Sequence, residues 1–446
     1  MSQTGSSSNI PLNNKRIINA WAMFDWANSS YALVIAVAVF PQYYTNILPE
    51  EVNFMGWNVL SGSLFSYSLS FAYLLIALSM PLLSGVADYG GKKKFFMRIF
   101  TTVGSIACIS LFGFYASDDG IVSHSSLLLG IFAFVLAIIG FAGGQIFYNS
   151  YLPLIASKDQ VDRVSAKGFS YGYIGSVLLL IVNLAMIQFP DFFFLKDSSM
   201  AARISFIMVG LWWIGFAQIT FRRLPDEQQS ESDENLLAKG YKELKKAGKN
   251  ILSQKQSKIF LFAFFFYSAG VQTVLSMAAV FASGPLKFNS SELIILILIL
   301  QILAIAGAFV FSLVSKRFGN KVALISMLVI WMGICITAYI VTEKMSFYIL
   351  ASIVGMVMGG IQSLSRSTYS KLLPDDTQDT ASYFSFFDVL EKASIVIGTL
   401  SFGLINQFTG NMRSSILALV VFFAIGLAIL SFIQLRNTAA HGVKSA

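Results

Sequence analysis

The chain has 446 residues, of which 56% are hydrophobic and only 12% charged, and its mean hydropathy is +0.69. A water-soluble protein of this length carries about 25% charged residues, so the composition excludes a soluble globular protein and makes lipid the solvent for most of the surface. The formal net charge of +8 indicates topology rather than nucleic-acid binding, because no basic domain is left outside the apolar segments to follow a phosphate backbone.

Apolar stretches of about 18 or more residues recur along the chain, and each is long enough to cross a hydrocarbon core of ~30 Å. The first contains Asp25 and no small-residue cleavage site, which predicts a retained helix and not a signal peptide. Twelve membrane spans are predicted, at 18–46, 59–87, 96–116, 125–152, 167–189, 202–221, 258–282, 291–314, 321–341, 346–372, 382–407 and 414–435.

The distribution of Lys and Arg predicts the orientation of these spans. Most of the 31 Lys and Arg residues fall on one side of the alternating intervals, together with both chain ends. Because Lys and Arg favour the cytoplasmic side, we expect both termini in the cytoplasm, in agreement with an even number of spans. The opposite side holds Lys196, Arg203, Lys287, Lys344 and Arg413.

One long interval, 222–257, predicts a cytoplasmic linker between an N-terminal six-helix bundle, 1–221, and a C-terminal one, 258–446. The linker opens acidic and turns basic from Lys239, with Tyr241 and Leu244 at helical spacing. Two interpretations remain open. The segment is either a basic amphipathic helix on the inner leaflet or a solvated linker with some helix.

Two segments at corresponding places in the halves share a pattern. Segments 84–93 and 312–321 follow the second and eighth spans, and their Ser, Gly and final Lys coincide at an offset of 228. A Tyr-x4-Pro sequence closes both the fourth and the tenth span. Six spans plus six, with matching inner loops, is the internal symmetry of many transporters.

Segment 84–93 resembles the signature loop of the major facilitator superfamily, G-x-L-a-D-r-x-G-r-k, although Ser84 replaces the first Gly and Tyr89 the usual Arg. The resemblance implies a conformational latch in which Asp88 meets a neighbouring helix end and holds one access state closed. An ordinary tight loop accounts for the lysines but not for the Asp and Gly spacing. The residues on the pattern are Asp88, Gly91, Lys92 and Lys93.

Three further segments are similar to the vacuole-effluxer (autophagy-related 22-like) branch of that superfamily. Residues 21–31 resemble its first helix, 359–367 its tenth, and 384–392 the start of its eleventh. The resemblance implies an all-α membrane protein with twelve transmembrane helices in two six-helix pseudo-repeats, the major facilitator fold. Yeast relatives are associated with amino-acid release from the vacuole. The implied location is the cell (inner) membrane, or the vacuolar membrane in a eukaryote.

Ionisable side chains inside the spans are candidates for function, because a charge at membrane depth costs ~2.5 kcal/mol or more. Asp25 lies in the first span, and Asn28 shares its face. We expect a site for a substrate amine or a proton. The alternative is a structural carboxylate capped by a neighbouring helix.

Arg366 in the tenth span lies among serines, where its guanidinium is suited to hold a carboxylate through two hydrogen bonds. Snorkelling toward the cytoplasm is the alternative. Other polar residues are expected to line the same cavity, with helix–helix hydrogen bonding as the competing interpretation. These are Gln145, Tyr148 and Asn149 on one face of the fourth span, Gln272 in the seventh and Gln362 in the tenth.

Asp388, Glu391 and Lys392 share one face of the eleventh span. An Asp388–Lys392 pair neutralises itself, which leaves Glu391 to bind a proton or a cation. We therefore expect proton coupling at this group and at Asp25. A purely structural ion network is the alternative.

Together these features predict a secondary active transporter of a small polar, amino-acid-like solute, proton-coupled and exporting, that works by alternating access. An importer of a sugar, peptide or lipid-like solute is the alternative, and a channel or receptor is less favoured. An enzyme is disfavoured, because no phosphate-binding loop is present and His124 and His441 fall in a loop and a tail. The expected partners are the solute, the bilayer and protons, with a monomeric chain and no cofactor, metal or nucleic acid.

Overall fold

The computed structural model describes residues 11–117, 119–226, 236–283, 285–288, 290–374 and 377–434. Its regular elements are helices, one β-hairpin and an isolated β-bridge between Ala116 and Val122. The first helices are α1 (Lys15–Ser30), α2 (Phe40–Ile47), α3 (Ser61–Gly90), α4 (Lys93–Ser110), α5 (His124–Ser150), α6 (Leu152–Ile155), α7 (Val161–Gln188) and α8 (Ser198–Arg223). The later ones are α9 (Leu236–Ser253), α10 (Lys255–Ser283), α11 (Ser290–Phe318), α12 (Asn320–Ile340), α13 (Lys344–Leu372), α14 (Thr380–Thr409) and α15 (Met412–Ser431).

Each predicted span overlaps one of these helices or a continuous helical run. Within the described residues, 11 helical segments are long and apolar enough to cross a membrane. The segment predicted as the eleventh span is α14, which is 30 residues long but carries the charged group of Asp388, Glu391 and Lys392. Its role as a twelfth crossing therefore stays a prediction.

The first span contains a change of helix type. Asn14 caps α1 by accepting hydrogen bonds from the backbone N–H groups of Arg16 and Ile17, at 2.9 and 3.4 Å. The chain then continues through a π-helix, Tyr31–Val39, into α2, so that Lys15–Ile47 forms one 33-residue segment. Stretches of π-helix inside α-helices are rare and are frequent at functional sites.

The end of α3 explains one residue of the loop pattern. Gly91 ends the helix in the left-handed conformation, with φ 60° and ψ 36°, and its N–H donates to the carbonyl of Asp88. A residue with a Cβ is disfavoured in this conformation, which is why glycine commonly follows a helix C-terminus.

A β-hairpin that the sequence did not predict precedes α3. Strands β1 (Glu51–Phe54) and β2 (Trp57–Leu60) pair antiparallel. Met55 and Gly56 both have positive φ in the connecting turn, as tight hairpin turns require. The predicted second span began at residue 59, inside β2, because the apolar residues of this strand adjoin those of the helix.

The chain divides into two compact units. The first unit comprises Met1–Tyr151 and Ile174–Glu243, and the second Leu152–Tyr173 and Leu244–Ala446. The division falls inside α7 and inside α9. The predicted bundle boundaries at 221 and 258 remain a proposal.

Close packing of α11 on α13 depends on glycine in the second unit. A Cβ added at Gly359 would lie 2.0 Å from the carbonyl oxygen of Ala304, and one at Gly307 would lie 1.8 Å from that of Met356. Helices that pack this closely in lipid use small residues at spacings of four, as Gly355 and Gly359 are. The apolar core of this unit includes Trp331 stacked on Phe423, with ring centroids 5.5 Å apart.

The predicted linker contains a helix, α9, and part of its surface packs on protein. In the first unit, Gly240 lies directly against the backbone of Gly85. In the second unit, Ala247 and Ile251 are part of the apolar core. Tyr241, by contrast, is 60% exposed, so both predicted interpretations of this segment remain open. Most of the predicted acidic stretch, at 227–235, lies outside the described residues.

Candidate functional site

Asp25 and Tyr148 meet in the first unit. Asp25 is buried on α1, and the Tyr148 hydroxyl of α5 donates to its Oδ2 at 2.7 Å. Trp21, one turn before Asp25, donates from Nε1 to the carbonyl of Tyr148 at 2.9 Å and stacks on its ring at 4.4 Å. These contacts fix the orientation of the carboxylate. The sequence predicted both Asp25 and Tyr148 as binding residues but did not predict that they contact each other.

Asn28 lies one turn beyond Asp25 and is completely buried. Neither of its amide atoms has a hydrogen-bond partner among the described residues. A buried polar group without a partner loses its hydration without compensation, so such groups are rare and call for a ligand or water. The π-helix begins three residues later, at Tyr31. On α5, Gln145 and Asn149 are half-buried.

The charged residues of α14 form one group, in which Asp388 and Glu391 both contact Lys392. Its ammonium lies 3.2 Å from Asp388 Oδ1 and 3.0 Å from Glu391 Oε2. Gln272 of α10 donates to Glu391 Oε1 at 3.2 Å. Asp388 Oδ2 is buried and has no hydrogen-bond partner in the described part of the chain. The expected Asp388–Lys392 pair is present, but Glu391 shares the same ammonium.

Arg366 is buried in the second unit and donates hydrogen bonds to α7. Its Nε donates to Ser165 Oγ at 3.0 Å and its Nη2 to the Ser165 carbonyl at 2.8 Å, while its Cζ lies 4.2 Å from the centroid of the Phe169 ring. One turn earlier on α13, Gln362 Oε1 accepts from the Tyr173 hydroxyl at 2.5 Å. The guanidinium therefore does not snorkel to water here, and its role toward a solute stays a prediction.

Asp162, which the sequence analysis missed, forms the densest polar network of the second unit. Its carboxylate accepts from Ser315 Oγ at 2.7 Å, from Asn320 Nδ2 at 2.9 Å and from Lys371 Nζ at 2.6 Å. Lys371 also donates to Asn320 Oδ1, at 2.7 Å. Ser315 and Asn320 lie in segment 312–321, which resembles segment 84–93. This resemblance was the one sequence signal for polar contacts at this place.

The predicted latch residues lie together in the first unit. Lys93 Nζ is 3.0 Å from Asp88 Oδ1, and both side chains are buried. Tyr89, at the place of the usual Arg, accepts a hydrogen bond from Lys239 of α9 at 2.7 Å. Gly91 and Lys92 form the turn between the two ion-paired residues.

A separate apolar cavity lies inside the second unit. Its lining includes Met277, Phe281, Phe347 and Phe402, and none of the predicted site residues is part of it. It offers no hydrogen bonds to a polar solute. Among the described residues, no three His, Cys, Asp or Glu side chains are grouped as a metal site requires.

Most of the chain matches known proteins. The family model described as "Vacuole effluxer Atg22 like" matches residues 13–442. The chain belongs to this family. The "Uncharacterized MFS-type transporter YxiO" of Bacillus subtilis (strain 168) is 31% identical over 417 residues, which is 93% of this chain and 94% of that protein. Autophagy-related protein 22 of Kluyveromyces lactis is 27% identical over 409 residues, covering 84% and 80%.

Solved structures show the same fold. FucP, a major facilitator superfamily transporter in its outward conformation, has a TM-score of 0.70 at 13% identity, covering 94% of this chain and 100% of that one. The proton:xylose symporter XylE, bound to 6-bromo-6-deoxy-D-glucose, has a TM-score of 0.70 at 12% identity, covering 94% and 95%. This Atg22-like protein is thus a multi-pass membrane protein with the all-α major facilitator fold, and a secondary transporter. The predicted family and fold class are confirmed.

Proposed function

We propose that this Atg22-like transporter exports an amino-acid-like solute and couples its movement to protons, by alternating access of the halves 1–221 and 258–446. The observation that carries the coupling is the sharing of one ammonium, that of Lys392, by two carboxylates on a membrane helix. The Asp25–Tyr148–Asn28 group of the first unit supports the class of solute.

The charges around Lys392 do not balance. Asp388 and Glu391 both contact this ammonium, and no other cation of the described residues pairs with either of them. With both carboxylates ionised the group carries one excess negative charge, which is costly at membrane depth. A proton on either carboxylate removes the excess. The Glu391 side chain is 27% exposed and that of Asp388 only 6%, so Glu391 is the more accessible of the two carboxylates.

The first unit has the chemistry to bind an ammonium-bearing solute. Asp25 supplies a carboxylate whose direction is set by Tyr148 and Trp21. Asn28 supplies an amide donor and acceptor that no described side chain uses. A charged ammonium gains most from a carboxylate in a site that excludes water, whereas a neutral sugar gains only ordinary hydrogen bonds. In the second unit, Arg366 is proposed separately as a group that can bind a carboxylate. The direction rests on the family, which is described as effluxers.

The test begins with purified full-length protein, screened by thermal shift against amino acids, peptides, sugars and nucleosides. Solutes that stabilise it are then tested in proteoliposomes with and without an imposed pH gradient. We expect amino-acid-like solutes to stabilise the protein and to accumulate only with the gradient. Accumulation that is equal in both conditions contradicts proton coupling. Stabilisation by sugars alone contradicts the assignment of the solute.

Two variants separate coupling from folding. Exchange of solute for solute moves no net protons, so Glu391→Gln is expected to keep exchange and lose most gradient-driven accumulation. Asp25→Asn is expected to lose the thermal shift with amine-bearing solutes. Glu343→Gln, at an exposed acidic residue in the connection before α13, is the matched control and is expected to behave like the parent. Parent-like exchange and accumulation in Glu391→Gln exclude this carboxylate from the coupling.

A further inference from the structure

The hairpin before α3 has one apolar and one polar face. Val52 lies opposite Val59 and Phe54 opposite Trp57. Because alternate residues of a strand point to the same side, these four side chains share a face. The opposite face carries Asn53 and Asn58, whose side chains hydrogen-bond to each other at 3.1 Å.

The apolar face is covered by protein at its base and open at its tip. Val52, near the base, is buried. Trp57, beside the turn, is 77% exposed, and Met55 in the turn is 60% exposed. Residues 52–60 include no charged side chain. A tip without charged side chains cannot form an ion pair with a charged partner.

A second apolar tip follows α7 in the same unit. The chain makes a short 3-10 helix, Pro190–Phe193, in which Phe192 is 77% exposed. Phe194 follows with positive φ and is 97% exposed. Asp191 is the one charged residue of 189–195. Both tips fall on the non-cytoplasmic side of the predicted topology.

Both tips continue apolar stripes that run along membrane-spanning helices. On α3, the exposed Tyr67, Phe71, Leu74 and Leu78 recur every three or four residues after the hairpin. On α7, a stripe of the same spacing includes the exposed Leu178 and leads to the second tip. Stripes of this kind on spanning helices face the lipid tails. Each tip adjoins one end of its helix, since β2 leads directly into α3 and residue 189 directly follows α7, so we expect both tips near the depth of the lipid headgroups.

We propose that the hairpin tip, Met55 with Trp57, and the phenylalanine loop, 189–195, insert into the headgroup–acyl boundary of the non-cytoplasmic leaflet. The partner is the lipid interface itself. Trp and other aromatic side chains favour this boundary, because their rings are apolar while the surroundings remain partly wet. The lack of Lys and Arg in both tips means that insertion does not depend on anionic lipid.

Site-directed fluorescence quenching tests the insertion. Cys108 and Cys335 are buried, so an added surface cysteine can be labelled selectively with an environment-sensitive fluorophore, and the parent gives the background. Trp57→Cys and Asn58→Cys place the label on opposite faces of one strand. Phe194→Cys and Asp191→Cys form the second matched pair. Each protein is reconstituted in phosphatidylcholine with or without bromine on its acyl chains, and iodide serves as the aqueous quencher.

We expect brominated lipid to quench the labels at 57 and 194 several-fold more than those at 58 and 191, and iodide to show the reverse order. Equal quenching within each pair overturns the proposal. A label at 57 that is shielded from both quenchers also overturns it, because it indicates a protein partner or a second copy of the chain. Met55→Cys at the same tip replaces Trp57→Cys if that variant does not fold.

Discussion

Loops 84–93 and 312–321 both contain a glycine with positive φ but place their carboxylates differently. Gly91 and Gly319, equivalent at the offset of 228, both have positive φ, 60° and 86°. In the first loop the carboxylate is that of a loop residue, Asp88, which forms an ion pair with Lys93. In the second loop, Lys316 occupies the position equivalent to Asp88. The carboxylate that contacts this loop is that of Asp162, on α7. The two loops therefore share a glycine with positive φ, whereas the carboxylate belongs to the loop in the first and to a neighbouring helix in the second.

The two arrangements also differ in burial. The Asp88 and Lys93 side chains are 0% and 2% exposed, whereas those of Asp162 and Lys371 are 9% and 15% exposed. Asp162 also accepts hydrogen bonds from two neutral side chains. The first loop thus contains a fully buried ion pair, whereas the second contacts a hydrogen-bonded network that is more exposed. Single substitutions should affect the two unequally.

Asp88→Ala is expected to have the largest effect, because it leaves the buried Lys93 without its carboxylate. Removing one partner of a buried ion pair costs about 3–5 kcal/mol. The measurement is the unfolding midpoint in detergent. Asp88→Ala with Lys93→Met should recover most of the loss, since it removes both charges. A double variant as unstable as the single one rules out an uncompensated Lys93 as the cause.

Asp162→Asn is expected to lower the stability less, by about 1.5–3 kcal/mol. The amide still offers a hydrogen-bond acceptor, and Lys371 still donates a hydrogen bond to Asn320. Asn320→Ala, which removes one neutral partner of the same network, should cost less again. The same unfolding measurement applies to both. If Asp162→Asn is more damaging than Asp88→Ala, burial does not govern the difference between the loops.

The two equivalent glycines sharpen the comparison further. Gly319 has φ 86° and ψ 157°, a conformation that is essentially restricted to glycine, so Gly319→Ala should cost about 1–3 kcal/mol. Gly91 is in the ordinary left-handed region, so Gly91→Ala should cost about 1–2 kcal/mol and Gly91→Asn less. Equal stability of Gly91→Ala and Gly91→Asn would show that the left-handed turn is not the reason for glycine.

Tyr89→Phe is expected to have the smallest effect, about 0.5–1.5 kcal/mol, because it removes the hydrogen bond from Lys239 but keeps the ring 5.0 Å from that ammonium. Lys239→Met removes both contacts and should cost somewhat more. The unfolding midpoints of the two variants, compared in one detergent, check the order.

Much of the fold could be predicted because its signals are local. In lipid, backbone groups must hydrogen-bond within their own segment, so a window of apolar residues is enough to locate a helix. The hairpin at 51–60 was missed because its apolar strand β2 adjoins the apolar start of α3. Gly91 could be expected at the end of α3 for the same local reason, since a helix terminus needs a left-handed residue.

The candidate site was predicted as a set of residues but not as a set of contacts. Asp25, Arg366 and Glu391 stand out because an ionisable residue in an apolar helix is rare. Asp162 did not stand out, because it lies near a helix end where charge is ordinary. The same holds for Ser165, whose side chain is common in membrane helices and yet accepts a hydrogen bond from Arg366.

By itself, the sequence determined the solvent of this protein, its helices, the repeat of its inner loops and the short list of charges inside the membrane. The tertiary structure alone decided which groups meet. Tyr148 reaches Asp25 across 123 residues, and Ser165 reaches Arg366 across 201. The physical reason is that a helix forms from bonds within its own segment, whereas the partner of each side chain depends on how that helix is rotated and packed against helices distant in the chain.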